Sequence, residues 1–289
     1  MSIFSNKSIY LFVLFLIFHL SSCKSDDASE IIQPEADLVA NQTVVIIKAD
    51  DLRNLTPNWQ LFIASSIKNT IPVSIGIIAR DMTIASTIKE VKRISTLKNS
   101  NGDLSVEFWN HGYDHSNPKK KKWEFNGFDY SHQVSDIKRS QEFFKNTLGL
   151  TCNSFGVPYN QSSELTHEAL EEFPEIKVWM CFQKIEKQFH PEWINPNLSN
   201  ISSTQSKILL DIKCQSIYDV PFQSVKKYLN AKPNIPYLVI QIHPNVWDAK
   251  DFLDYQNMID YLKSKNVIFM TPFQYYNHLI NTPSTTFTN

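Results

Sequence analysis

What most constrains this chain is an alternation that starts at Thr43 and runs almost to its end. Short, nearly unbroken apolar runs at residues 43–48, 73–78, 104–109, 176–182, 208–212, 237–242 and 267–270 are separated by stretches of helical period. A strand with one wet face alternates apolar and polar residues. Runs without that alternation must be covered on both faces, as parallel strands are when helices pack over them. The intervening stretches supply such helices. Ile84, Ile88, Val91 and Ile94 form one stripe; Val134, Ile137, Phe144 and Leu148 form another, closed by Gly149; Phe252, Tyr255, Ile259 and Leu262 form a third. Thr56 before Pro57 marks a helix start. With no repeat and no internal linker, the pattern predicts one α/β domain over residues 42–282, a barrel or a doubly wound sheet.

The charge balance, 28 Lys+Arg against 29 Asp+Glu, gives no field to gather nucleic acid and excludes that class of partner. The one basic cluster, Lys119 to Lys122, follows Asn117-Pro118 and reads as a solvated loop. Residues 1–22 read as a lipoprotein signal peptide, with Lys7 ahead of an apolar core that is too short to span a membrane. They end in Leu20-Ser-Ser-Cys23, which looks like a bacterial lipoprotein processing box with lipid on the Cys23 thiol. The expectation is a membrane anchor at Cys23, a polar tether over 23–41, a cell-envelope location outside the cytoplasm, and a tail at 283–289. Asp26-Asp27 resembles an export tag to the outer-membrane surface. Cys152, Cys181 and Cys214 lack zinc spacing and are expected to be buried thiols.

Chemistry-bearing residues fall at the ends of the apolar runs, where α/β folds place their sites. Asp50 and Asp51 follow the first, and adjacent acids there diverge in direction and in role. His111 and His115 follow the third, with Gly112 allowing close backbone approach. His243-Pro244 closes a late run. One carboxylate and two imidazoles suffice to hold a catalytic ion with an open position, leaving a carboxylate and a histidine for proton transfer. Singly, each motif is as readily a solvated turn, a pair of loop histidines or a satisfied core histidine; together they read as a metal-dependent hydrolase.

The ordered set Ala49-Asp50-Asp51, His111-Gly-Tyr-Asp-His115, Pro158-Tyr159-Asn160 and Ile240-Gln-Ile-His243 resembles the motifs of the polysaccharide deacetylases, the NodB-like carbohydrate esterases. The resemblance implies a distorted (β/α)7-type barrel and removal of N-acetyl groups from an acetylated glycan. It implies Asp51, His111 and His115 as ligands of a divalent metal, zinc or else cobalt or nickel, with Asp50 as general base and His243 as general acid. The oxyanion would meet the backbone N–H of Tyr159 after Pro158. Tyr159 and Trp247 are the aromatic candidates for substrate contact.

Two departures stand out. Gly156 occupies the position of the family's arginine, and Ile176-Lys-Val-Trp179 stands where its acidic fourth motif is expected. Lys48, two residues before Asp50 on the same strand, is the expected substitute for the missing cation, and Glu107 its expected counter-charge. The alternatives are a deacylase of another amide or ester, such as an O-acetyl group, and a catalytically impaired glycan-binding surface lipoprotein.

Overall fold

The computed structural model describes residues 42–116, 123–182, 193–194, 196 and 207–281. The signal peptide, Cys23, the tether, the 119–122 basic run and the tail lie outside them. Among the described residues no helix is long and apolar enough to cross a membrane.

Among the described residues, nine strands alternate with helices: β1 (Thr43–Leu52), α1 (Pro57–Lys68), β2 (Val73–Ile77), α2 (Ala85–Ile94), β3 (Val106–Asn110), α3 (Tyr130–Glu142), β4 (Ser154–Phe155), α4 (Glu164–Glu171), β5 (Val178–Cys181), β6 (Trp193–Ile194), β7 (Lys207–Gln215), α5 (Phe222–Ala231), β8 (Tyr237–Ile242), α6 (Ala249–Lys263), β9 (Val267–Phe269) and α7 (Pro272–Asn281). The sheet runs β2-β3-β4-β5-β7-β8-β1, and β1 also pairs with β2. Every pairing is parallel, so seven strands close into a parallel barrel.

The membership differs from expectation in one place. Residues 267–269 do form a strand, but it pairs with the N-terminal end of β1 outside the ring. The seventh member is β4, two residues long, too short to leave an apolar run. The polar ends of β1 and β7 also extend past their apolar runs, because this barrel's mouth is lined with polar side chains that a hydrophobic scan ignores. Helix α3 passes into a wider turn at Phe143–Leu148, closed by Gly149 at φ 72° as its position predicted. Cys152, Cys181 and Cys214 are buried, as expected.

The helices cover the ring. Phe62, Val91, Tyr255, Ile259 and Leu262 lie at or below 1% exposure among the strand residues beneath them. A second cluster, including Ile137, Leu170, Phe155 and Trp179, fills the side under α3 and α4. Each fully buried large side chain contributes roughly 1.5–3 kcal/mol relative to an exposed one.

Candidate active site

The candidate residues meet at the C-terminal mouth of the barrel. Strand β1 shifts register against β2 between Ala49 and Leu52, and Asp51 adopts φ 75°. A non-glycine residue in that region is strained and persists only where its surroundings impose it. This kink sends the two acids different ways. Asp50 stays inside, 1% exposed, while Asp51 turns toward the mouth.

His111 leaves β3 fully buried, and its Nδ1 lies 2.7 Å from the carbonyl oxygen of Gly156. A carbonyl only accepts, so the proton sits on Nδ1 and Nε2 keeps its lone pair. That Nε2 lies 3.3 Å from Asp51 Oδ1 and 3.6 Å from Asp50 Oδ2. His115 Nε2 lies 2.9 Å from the same Asp51 oxygen. One atom from each of Asp51, His111 and His115 falls within 4.8 Å of the others. Asp51 Oδ1 is buried but makes no well-formed hydrogen bond, despite these short approaches. Donor atoms that converge without satisfying one another fit a shared cation, and the set of one carboxylate and two imidazoles suits a divalent one.

Beneath this cluster Lys48 is wholly buried, and its Nζ lies 2.6 Å from each oxygen of Asp50. Burial pulls its ammonium pKa down and Asp50 opposes that pull. The ammonium also sits 4.6 Å above the centre of the Trp109 ring. Trp109 in turn lies across two glycines. A Cβ on Gly76 would come within 2.5 Å of the indole, and one on Gly156 within 2.9 Å of the indole and 3.2 Å of Lys48 Cε. Gly156 thus stands where a longer side chain was expected because Trp109 and Lys48 occupy its space. Glu107 is not the counter-charge of Lys48. Its carboxylate accepts from Ser154 Oγ at 2.5 Å and from the N–H of Phe273 at 2.9 Å, tying β3 to the start of α7. Strand register sets Glu107 level with Ser74 and Lys48, but the long Lys48 side chain extends up to Asp50 beside the Trp109 ring and leaves Glu107 to Ser154 and Phe273.

His243, 9% exposed, ends β8, with Nδ1 3.0 Å from the carbonyl oxygen of Ser216. Tyr159 and Asn160 adopt φ 58° and 54° after the buried Pro158. The Asn160 amide donates to Gln215 and Gln241, at 2.9 and 3.0 Å, which pins this turn to the tops of β7 and β8. The Tyr159 ring is 40% exposed and its centre is 4.2 Å from that of His115, so it flanks the cluster. Trp247 does not contact the mouth as expected. It is 4% exposed and packs against Phe62, Phe252 and Tyr255, because the chain after His243 turns back under α1 and α6.

Reading the motifs one by one missed a buried carboxylate. Glu124, fully buried in the Trp123–Asn126 turn, accepts the backbone N–H groups of Tyr113 and His115. Burial, reinforced by Asp136 and Asp114 nearby, pushes its carboxyl up to about 8. No periodicity or motif marks it; its one local signal is a charged residue between two aromatics, Trp123 and Phe125.

No protein-family model matches the chain, and no curated protein does. Solved structures do resemble it. A protein from Mycobacterium smegmatis described as a polysaccharide deacetylase is 12% identical with a TM-score of 0.58, over 83% of this chain and 90% of that one. A family 4 acetyl xylan esterase from Clostridium thermocellum, in complex with a cobalt ion, is 13% identical with a TM-score of 0.50, over 81% and 91%. A CE4 family pseudoenzyme from Bacillus anthracis is 13% identical with a TM-score of 0.51, over 84% of this chain and 66% of that one. At such identities the likeness is one of fold: the seven-stranded barrel is that of the CE4 family deacetylases.

Proposed function

We propose that the chain is a divalent-metal-dependent hydrolase that removes N-acetyl groups from an amino-sugar polysaccharide. One observation carries this reading: Asp51, His111 and His115 converge beside the buried Asp50 at the mouth of a parallel barrel. The fold of CE4 deacetylases supports it. The donor set suits zinc, and equally cobalt or nickel.

Asp51, His111 and His115 would hold a divalent ion, which would supply Lewis acidity toward the acetyl carbonyl and toward water near neutral pH. Asp50, beside His111, accepts the proton released as the water oxygen attacks the carbonyl carbon. The backbone N–H of Tyr159 is assigned to the developing oxyanion. His243 delivers a proton from Nε2 to the departing amine, its other nitrogen being held by Ser216. Without that proton the leaving group would be an amide anion. Lipid on Cys23 and a cell-envelope location, where acetylated glycans occur, complete the proposal.

The test is acetate release by the full-length chain, zinc- or cobalt-loaded, from acetylated chito-oligosaccharides and peptidoglycan, beside Asp51→Ala. Metal-dependent release that the variant loses supports the reading; release that survives Asp51→Ala refutes it. A second reading, a glycan-binding protein without turnover, is favoured by Lys48 engaging both oxygens of Asp50. Bound glycan and bound metal with no acetate from any substrate, an O-acetylated one included, would establish it.

A further inference from the structure

The segment that carries the second histidine is hung from a residue outside every motif. Three of the four backbone N–H groups from Gly112 to His115 are taken by side chains. Asn110 Oδ1 accepts from Gly112 at 3.0 Å, Glu124 Oε1 accepts from Tyr113, and Glu124 Oε2 accepts from His115 at 2.9 Å. The carboxylate reaches this close because Gly112 has no Cβ: one built there would lie 2.6 Å from Glu124 Oε2. Gly112 itself sits at φ 79° and His115 at φ 53°. Without a fixed partner His115 would relax toward negative φ, since the left-handed region is costly for a side chain with a Cβ.

Both oxygens of Glu124 are committed to backbone N–H groups, beside two further acids. Glu124, Asp114 and Asp136 bring oxygens within 4.8 Å of one another. Glu124 is engaged by the two N–H groups and Asp114 by Arg80 and Ser116, while Asp136 meets Arg139 with one oxygen and keeps the other, 3.1 Å from His132, without a well-formed hydrogen bond.

We propose that Glu124 is the positioning residue of the metal-binding segment: its buried carboxylate clamps Tyr113 and His115 by their backbone and so sets the His115 imidazole against Asp51 before an ion arrives. The inference rests on the proposed metal site and adds to it a determinant of metal affinity that no sequence motif contains. A partner that orients a ligand acts on affinity through preorganisation, and losing one typically costs ~10–100-fold.

The experiment is cobalt titration of the full-length chain, native and Glu124→Gln, followed by the visible spectrum of the bound ion. Glutamine keeps shape and one acceptor but turns an NH2 toward the second backbone N–H. The expected result is a weakening of cobalt binding by about tenfold or more, with an altered cobalt spectrum and an unchanged far-ultraviolet spectrum of the fold. Unchanged affinity and cobalt spectrum in the variant would overturn the proposal. Should Glu124→Gln not fold, hydrogen exchange of the native, metal-free chain decides. Tyr113 and His115 amides as protected as β3 support the clamp; exchange at open-loop rates overturns it. Absence of cobalt binding by the native chain would instead refute the metal site, while the exchange measurement still reports on the clamp.

Discussion

Lys48 and Asp50 form a buried ion pair at 2.6 Å, so removing one leaves a buried charge. Lys48→Met should cost about 3–5 kcal/mol of unfolding free energy in urea titration. Adding Asp50→Asn should recover much of that, because the uncompensated charge goes with it; a strictly additive double variant would refute the pair. Lys48 was legible in sequence through the two-residue period of a strand, which puts 48 and 50 on one face. Glu107 obeys the same rule, and the rule misled there. Parity gives the face of a strand but not the direction in which a long side chain extends, and Lys48 extends to Asp50 rather than to Glu107 at its own level. Asp51 is the converse. Its adjacency to Asp50 announced two directions, but only the kink at φ 75° aims its carboxylate at His111 and His115.

The strands and their glycines set the next scale. Gly76 and Gly156 face one indole, and a rigid ring cannot yield as a flexible side chain does. Gly76→Ala should therefore destabilise the barrel by about 1–3 kcal/mol. Trp109→Phe, which removes the indole's second ring, should offset part of that loss in the double variant. Equal losses with and without the indole would show that strand entropy, not overpacking, is responsible. For the same reason Gly156→Arg, alone, should fail to restore the usual family pattern and should lower stability, measured by the thermal midpoint. The apolar runs at β1 and β8 were readable because covered parallel strands are apolar throughout. Strand β4 was not, since two residues carry no period and only closure of the ring makes them a strand.

At the scale of the molecule, β9 and α7 sit at the N-terminal end of β1, and Glu107 joins them to β3. Desolvation outweighs the hydrogen bonds to Glu107 and raises its carboxyl above the ordinary range. The folded chain therefore binds this proton more tightly than the unfolded one. Its contribution is full below the ordinary glutamate pKa of about 4.3 and is lost as pH rises from there through the folded value. Relative to the native chain, Glu107→Gln should lose this downward slope of stability with pH; parallel slopes in urea titrations at successive pH values would refute it. What the sequence by itself determined is the parallel α/β class and the strand ends that bear Asp50, Asp51, His111, His115 and His243, because burial and the periods of strand and helix are local properties of the chain; the pattern left a barrel and a doubly wound sheet open, and only the motif resemblance pointed to the barrel. What only the tertiary structure decided is which of these atoms converge, that Trp247 is core, that Lys48 fills the space beside Gly156, and that Glu124 grips the histidine segment. Those depend on distances between residues far apart in sequence, which closure of the ring fixes and no local pattern encodes.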